Sequence, residues 1–454
     1  MARLSCFKAY DIRGRVEDEI TDELARNLGR AISVVLEAKT VVVGRDAREA
    51  SPRLLNALSE GLTSAGTTVL DLGFCGTEEV YFGTEHHEAC AGVMVTASHN
   101  PIEYNGFKLV GRGSAPLTDE LFQEIEAATR LGANPTPENV GSRKEAQCRE
   151  AYVERVLSFI DPGSLSPLKI LANAGNGAAG PTFDAIVEGL ANASAKLDIV
   201  RLHHEPDATF PNGIPNPLLP ENQPITGDAV AAAGADFGVA WDGDFDRCFF
   251  FDHTGAFIPG EYVVGLLAAS MLERFPGERI VHDPRVFWNT LKIVSDAGGE
   301  AVVSRTGHAL IKAKMRETNA VYGGEMSAHH YFRDFMYCDS GMIPWLLVAA
   351  YICHTGQTLR DLVAEMRDNF KSSGEINFRV DDPAATTERV RAAFEAQTIA
   401  SDRLDGLSVE ASTWRLNLRS SNTEPLLRLN VETRSGASEL KDLVERVSAI
   451  ISRA

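Results

Sequence analysis

One pattern recurs three times along the chain and limits its fold more than any other feature. An apolar run ends in a polar loop, a helical stretch follows, and a second apolar run closes the unit. Val41-Val42-Val43-Gly44-Arg45-Asp46 opens the first copy, with a helix predicted from Pro52 to Ala65, then Gly66, and a strand from Thr68 to Leu72. Lys169-Ile170-Leu171-Ala172-Asn173-Ala174-Gly175 opens the second, with a helix near Pro181 to Leu190. Arg279-Ile280-Val281-His282-Asp283-Pro284-Arg285 opens the third, with a helix near Trp288 to Ala297 and a strand at Glu300 to Ser304. Strand, polar loop, helix, strand is the βαβ unit of a layered α/β domain. The openings stand roughly 110 to 130 residues apart, which predicts three similar α/β domains in series.

From about Ser373 the pattern changes. A strand-like Glu375 to Val380, a helix from Ala385 to Ala396, alternating runs at Thr413 to Leu418 and Leu426 to Thr433, and a last helix from Ser438 to Ile451 predict a smaller α+β domain. The expected fold class is therefore α/β, with three related mixed-sheet domains and a C-terminal α+β domain. The expected boundaries are 1–150, 151–252, 253–370 and 371–454. Stretches near Ala133 to Gly141, Pro206 to Pro224 and Lys371 to Glu375 read as surface connections, with the Pro-rich Phe210 to Pro217 an ordered loop between domains.

At 454 residues the chain exceeds one ordinary core, and 44% hydrophobic with 24% charged residues is a globular composition. Met1 to Tyr10 has no apolar core for a signal peptide, and the longest apolar run, Met342 to Cys353, is too short to span a bilayer. Seven scattered cysteines without a C-x-x-C pair predict neither a disulfide framework nor a zinc site, and a cytoplasmic location is expected. The net charge of −19 argues against nucleic acid or an anionic membrane as partner. An anionic small molecule would need positive charge gathered locally.

Four loops carry chemistry. Val95-Thr96-Ala97-Ser98-His99-Asn100-Pro101 places a serine beside a histidine where an apolar strand ends. A serine in a turn is usually a turn former or cap, but one that carries a phosphoryl group needs exposure, a nearby cation and in-line geometry. Lys108, ten residues on, is a cationic partner in the same loop region. Asp242-Gly243-Asp244-Phe245-Asp246-Arg247 sets three acids in a tight connection between two strands, with Gly243 easing the bend. Acids so close repel unless a cation lies among them, and oxygen ligands suit Mg²⁺, although a solvated acidic turn is the alternative. A Ca²⁺ loop is excluded because Arg247 and His253 stand where glycine and glutamate are required. In Gly324-Glu325-Met326-Ser327-Ala328-His329-His330, Glu325 and Ser327 alternate and can bond adjacent sugar hydroxyls, with His329 on the same side if the loop is extended; His308 can join them. Arg419-Ser420-Ser421-Asn422-Thr423-Glu424-Pro425 has the composition of a phosphate cradle.

Together with Phe7-Lys8-Ala9-Tyr10-Asp11-Ile12-Arg13-Gly14, these loops in this order resemble the α-D-phosphohexomutase superfamily over the whole chain, and most closely its bacterial phosphomannomutase branch. The phosphoglucosamine branch differs at Met326 and at Ser421-Asn422. The resemblance implies four domains around a central active-site cleft. It implies that Ser98 is the phosphoserine, and that Asp242, Asp244 and Asp246 bind Mg²⁺ together with that phosphate. Glu325 and Ser327 are implied to read sugar hydroxyls, and Arg419, Ser421, Asn422 and Thr423 to hold the distal phosphate. Tyr10, Arg13, Lys108, Arg247, His308 and His329 are implied to line the site, with Lys108 and His329 as general acid–base candidates. The implied reaction is interconversion of mannose 6-phosphate and mannose 1-phosphate through a hexose 1,6-bisphosphate, serving GDP-mannose synthesis. Partners would be sugar phosphates, and the protein a monomer or homodimer. A phosphoglucomutase or dual-specificity enzyme is the nearest rival, because glucose and mannose differ at C2 and not where Glu325 and Ser327 read. A Mg²⁺ phosphatase using a phospho-aspartate favours Asp-x-Asp-x-Thr, where this chain has Asp246. A non-catalytic sugar-phosphate sensor would bind without turnover.

Overall fold

The computed structural model describes residues 4–133, 135, 140–420 and 426–452. It divides into two compact units, one of residues 1–257 with 329–359, the other of residues 258–328 with 360–454.

The first unit contains two of the three repeats. In the first, Thr40–Arg45 runs parallel to Thr68–Phe74 on one side and to Ala91–Val95 on the other, and Tyr104–Gly111 then pairs antiparallel with Ala91–Val95. Val41, Val42 and Val43 are all fully buried, as expected of a parallel strand covered on both faces. Helix Asp22–Val35, capped by Thr21 whose Oγ accepts from Leu24 N, lies against helix Ser51–Ser64. Their approach is close: a Cβ on Gly61 would lie 2.0 Å from the Arg26 carbonyl oxygen. The second repeat copies the plan. Leu168–Asn173 runs parallel to Leu197–Leu202 and to Phe237–Trp241, and Cys248–Asp252 is antiparallel to the last. A short antiparallel pair, Tyr331–Phe332 with Cys338–Asp339, and helix Met342–Thr355 complete the unit.

The turn Gly76-Thr77-Glu78-Glu79, where helix Thr77–His86 begins, ties this unit together. Thr77 Oγ donates to Asp244 Oδ2 at 2.6 Å. The fully buried Glu78 accepts from Tyr152 Oη, from Ser340 Oγ at 3.0 Å, and from the backbone N–H of Gly341 and Met342. Glu79 accepts from Arg149 Nε at 2.9 Å and Thr182 Oγ at 3.0 Å.

The second unit holds the third repeat, in which Arg279–His282 runs parallel to both Glu300–Val303 and Tyr322–Gly324. Its C-terminal sheet is antiparallel throughout, in the order Lys371–Arg379, Leu426–Thr433, Trp414–Ser420, Leu407–Glu410, Ala400–Asp402. Helices Pro383–Phe394 and Ala437–Ile451 bury Val390, Phe394, Val447 and Ile451 in one core with Trp414, Leu416 and Leu429.

Two expectations need correction. Lys371–Glu375 is not a connection but the start of the edge strand, with a register shift between Ser372 and Glu375 and Gly374 at φ 65°. Its Ser-Ser-Gly composition is that of a bulge as much as of a turn. The Phe210 to Pro217 loop lies inside the second repeat, between Leu197–Leu202 and helix Gln223–Ala233. It is ordered by Phe210 N and Gly213 N donating to Asp207 O and Phe210 O, and Arg48 of the first repeat lies over the Phe210 ring at 5.8 Å.

Candidate active site

The first three chemistry-bearing loops occupy one position in the repeat: each leaves the carboxyl end of the third parallel strand, after Val95, Trp241 and Gly324. That end of an α/β sheet is where ligands bind.

In the first unit Ser98 sits at φ 51° and is fully buried, so the exposure expected of it is absent. Burial excludes water from the hydroxyl, and the neighbours set its direction. Ser98 Oγ donates to Asp242 Oδ2 at 2.5 Å and lies 3.0 Å from His99 Nδ1. Burial, with the guanidiniums of Arg247 and Arg13 next in weight, holds the His99 pKa well below its ordinary value, so the ring is neutral. The loop is fixed from beneath by Arg48, whose guanidinium donates to the carbonyls of Ser98, Asn100, Pro101 and Tyr104 at 3.0, 2.5, 2.9 and 3.0 Å. Arg13 Nη1 holds Asn100 Oδ1 at 2.6 Å, and Tyr10 is half-buried just before the strand that carries Arg13.

The acidic loop meets the serine loop directly. A Cβ on Gly243 would lie 2.6 Å from Ser98 O, so Gly243 permits the contact, whereas the left-handed bend is at Phe245, φ 47°. Asp242, Asp244 and Asp246 are buried, and ligand atoms from all three lie within 4.8 Å of one another. Lys108 belongs to strand Tyr104–Gly111 rather than to the serine loop, and its ammonium binds Asp244 Oδ2 at 2.8 Å and Asp246 Oδ2. Burial alone would lower its pKa, but those two carboxylates raise it on balance. Burial and then the neighbouring Asp244 and Asp246 push Asp242 up to about 7, while Lys108 holds Asp244 low against its own burial.

Oδ1 of each aspartate is buried and accepts no hydrogen bond among the described residues. Three buried carboxylates close together in a dry loop, each with an unsatisfied oxygen, are costly unless a cation meets them, and an all-oxygen set fits a hard divalent ion such as Mg²⁺. A second group, Asp246, His329 and Asp339, has the same spacing. Arg247 Nε donates to His329 Nε2 at 3.0 Å and lies 3.7 Å from Asp242 Oδ2. That donation makes Nε2 an acceptor and places the ring hydrogen on Nδ1, 2.9 Å from Asp339 Oδ2.

In the second unit the Glu325 loop is a turn, with Ala328 N donating to Glu325 O at 3.0 Å and Ala328 at φ 67°. The extended alternation expected of Glu325, Ser327 and His329 therefore does not hold. Glu325 is buried and accepts from Gly307 N at 2.8 Å, which brings the start of helix His308–Thr318, and so His308, to this loop. Ser327 is half-buried within the turn. Arg419 lies on strand Trp414–Ser420 and donates to Glu375 Oε2 at 2.9 Å. Ser421, Asn422 and Thr423 lie outside the described residues.

Sequence reasoning passed over Arg48, Thr77, Asp339, Arg285 and Glu375. For two of them a signal was present. Asp46-x-Arg48 and Asp283-x-Arg285 end the first strand of their repeats, and in both the arginine N–H donates to its own aspartate Oδ1, at 3.0 and 2.7 Å. Asn173 and Gly175 make the same turn in the second repeat, at 3.0 Å. A shared Asx turn at repeat-equivalent positions marks both arginines. Thr77, Asp339 and Glu375 carry no such mark.

Comparison with known proteins adds four matches in order along the chain. Models of phosphoglucomutase/phosphomannomutase alpha/beta/alpha domains I, II and III match residues 5–134, 150–255 and 259–370, and the C-terminal domain matches residues 375–450. A protein named phosphohexose mutases, from Xanthomonas campestris pv. campestris, is 54% identical over 99% of both chains. A phosphomannomutase of Salmonella typhimurium is 51% identical over 100% of both. Among solved structures, a phosphoglucomutase/phosphomannomutase family protein from Burkholderia thailandensis superimposes with TM-score 0.86 at 32% identity, covering 98% of this chain and 97% of that one.

Proposed function

The chain belongs to the phosphoglucomutase/phosphomannomutase family of four-domain phosphohexomutases, and from that premise we propose that it interconverts mannose 6-phosphate and mannose 1-phosphate through a phosphoserine at Ser98. The observation that carries this reading is the contact of Ser98 Oγ with Asp242, in a loop where three carboxylates each present an unbonded oxygen. A hydroxyl beside a divalent-cation site is what phosphoryl transfer requires.

In the proposed cycle the phosphoryl group leaves Ser98 Oγ for O1 of mannose 6-phosphate. The O1 proton passes to a base, and Ser98 Oγ is reprotonated. The hexose 1,6-bisphosphate then turns over, its O6 phosphoryl returns to Ser98 Oγ as that hydroxyl gives up its proton and O6 takes one up, and mannose 1-phosphate departs. Asp242, Asp244 and Asp246 would hold Mg²⁺, which when bound neutralises charge on the phosphoryl oxygens. Arg247, 3.7 Å from Asp242, sets a guanidinium at the same place. Lys108, whose ammonium binds Asp244 and Asp246, and His329, whose Nε2 accepts from Arg247 and whose Nδ1 lies 2.9 Å from Asp339, are the two candidates for moving the proton. Glu325 and Ser327 would read sugar hydroxyls, with His308 beside them. Arg419 with Ser421, Asn422 and Thr423 would hold the distal phosphate, and Tyr10 and Arg13 would border the serine. Seven cysteines without a disulfide support a reducing cytoplasm, and the product would serve GDP-mannose synthesis.

A dual-specificity enzyme is the second reading, supported by the 54% identical relative named phosphohexose mutases. The two are separated by ³¹P NMR with Mg²⁺, a trace of hexose 1,6-bisphosphate, and mannose 6-phosphate or glucose 6-phosphate in parallel tubes. Faster formation of mannose 1-phosphate is expected. Equal or better conversion of glucose transfers the assignment to the dual enzyme. Free phosphate alone, or binding without turnover, refutes the mutase reading.

A further inference from the structure

Glu375 stands among three guanidiniums. Its Oε2 accepts from Arg419 Nη2 at 2.9 Å and from Arg285 Nη1 at 3.3 Å, and its Oε1 pairs with Arg428 Nη1 at 3.3 Å. Arg285 comes from the third repeat and the other two from the C-terminal sheet, so one carboxylate gathers charge from two domains. The bulge between Ser372 and Glu375, with Gly374 at φ 65°, resets the strand just before this side chain.

We propose that Glu375 is a built-in surrogate anion that occupies a three-arginine phosphate site and is displaced when the phosphate of the substrate arrives. The inference rests on the reading of Arg419 as a phosphate ligand and extends it: it adds Arg285 and Arg428 to the site and makes Glu375 a competitor that sets affinity.

Three observations separate a displaceable anion from a permanent strut. First, Arg285 already has a permanent partner. Asp283 is fully buried and binds Arg285 Nη2 at 2.7 Å and Nε at 3.1 Å, leaving Nη1 for Glu375. Second, exposure differs. The Glu375 side chain is 20% exposed and that of Arg428 26%, whereas that of Asp283 is 0%. An anion from solvent can reach the first pair and not the second. Third, the repeat supplies an internal control. Arg48, in the position equivalent to Arg285, likewise pairs with its own aspartate, Asp46, at 3.6 Å through Nε, but gives both terminal nitrogens to four backbone carbonyls and none to a second carboxylate. A phosphate dianion in place of Glu375 offers more acceptor oxygens to the three planar donors than one carboxylate does.

The test is calorimetric titration of the full-length chain with inorganic phosphate, and separately with mannose 6-phosphate, for wild type, Glu375→Gln and Arg428→Leu. Removing the competing charge is expected to tighten phosphate binding about tenfold in Glu375→Gln, and loss of one guanidinium to weaken it about tenfold in Arg428→Leu. If Glu375→Gln melts far below wild type, Glu375→Asp serves instead, since its carboxylate falls one methylene short and should also tighten binding. Unchanged or weaker phosphate affinity in a folded Glu375 variant overturns the proposal and makes Glu375 a strut. Phosphate is independent of the sugar and of Ser98. Tighter phosphate binding in a protein that fails to turn over mannose 6-phosphate would therefore remove the function assigned above and leave this inference standing.

Discussion

Around Asp242, Asp244 and Asp246 the first unit gathers carboxylates and leaves one oxygen of each without a donor, whereas around Glu375 the second unit gathers guanidiniums and meets them with a carboxylate of its own. Both clusters concentrate one sign of charge, the first fully buried and the second open to solvent at Glu375 and Arg428, and each is destabilising until that charge is met. The first is compensated in part by Lys108 and Arg247, and its unbonded oxygens suit a cation from solution. The second carries its counter-ion within the chain. The acidic cluster should therefore respond to metal supply, and the basic cluster to competition among anions.

The severest challenge to the comparison is Ser98→Ala. If the acidic loop serves the serine, turnover should fall at least about 10⁴-fold with the melting temperature retained; near-normal ³¹P-monitored turnover would detach the cluster from the chemistry. Asp244→Asn should lower kcat about 10²- to 10³-fold and raise the Mg²⁺ concentration needed for half activity. The basic cluster should answer differently. Arg419→Met is expected to raise KM for the sugar phosphate about 30-fold while leaving the Mg²⁺ requirement where it was, and a shift in that requirement would blur the two clusters into one. Thr77→Val removes a hydroxyl from Asp244 alone and should cost about fivefold in kcat, again with a shifted Mg²⁺ titration.

The smallest expected effect concerns stability. Glu432 is buried on the strand next to that of Glu375, where it accepts from Phe287 N at 3.2 Å and lies 3.8 Å from the Arg415 guanidinium. Burial pushes its pKa up to about 7 from an ordinary 4.5, although Arg415 opposes the shift, whereas the three guanidiniums pull Glu375 down despite burial. A raised carboxyl pKa means that the folded state holds the proton longer, so this contribution is complete below about pH 4.5 and is lost as pH rises through about 7. Unfolding free energy should fall by about 1 kcal/mol per pH unit near pH 6 from this group, and that slope should vanish in Glu432→Gln.

Much of the fold was legible because parallel strands covered on both faces are written as unbroken apolar runs. The three βαβ openings and their helices appear within a few residues of where periodicity placed them. The antiparallel edge at Lys371 was not, because Ser372-Ser373-Gly374 carries no alternation and a bulge shares its composition with a turn. Within the site, the three aspartates were legible from spacing alone, since few other arrangements tolerate three acids so close. The burial of Ser98 was hidden because its cover comes from Asp242, distant in sequence. Glu325 misled for a related reason: a left-handed Ala328 turns the loop, and alanine gives no warning of a positive φ. Asp339 and Glu375 were invisible because their roles exist only opposite partners far away in the chain.

The Glu78 carboxylate bears on how the first unit is assembled. Its donors come from two separate stretches: Tyr152, and the consecutive Ser340 hydroxyl with the amides of Gly341 and Met342. A first repeat that closes before the segment around residue 340 has been synthesised buries an acid with most of its partners missing. Such a half-built state is penalised, which discourages early locking of the N-terminal portion as it leaves the ribosome. The same residue thus acts as a completion check on folding, satisfied only when the later segment is in place.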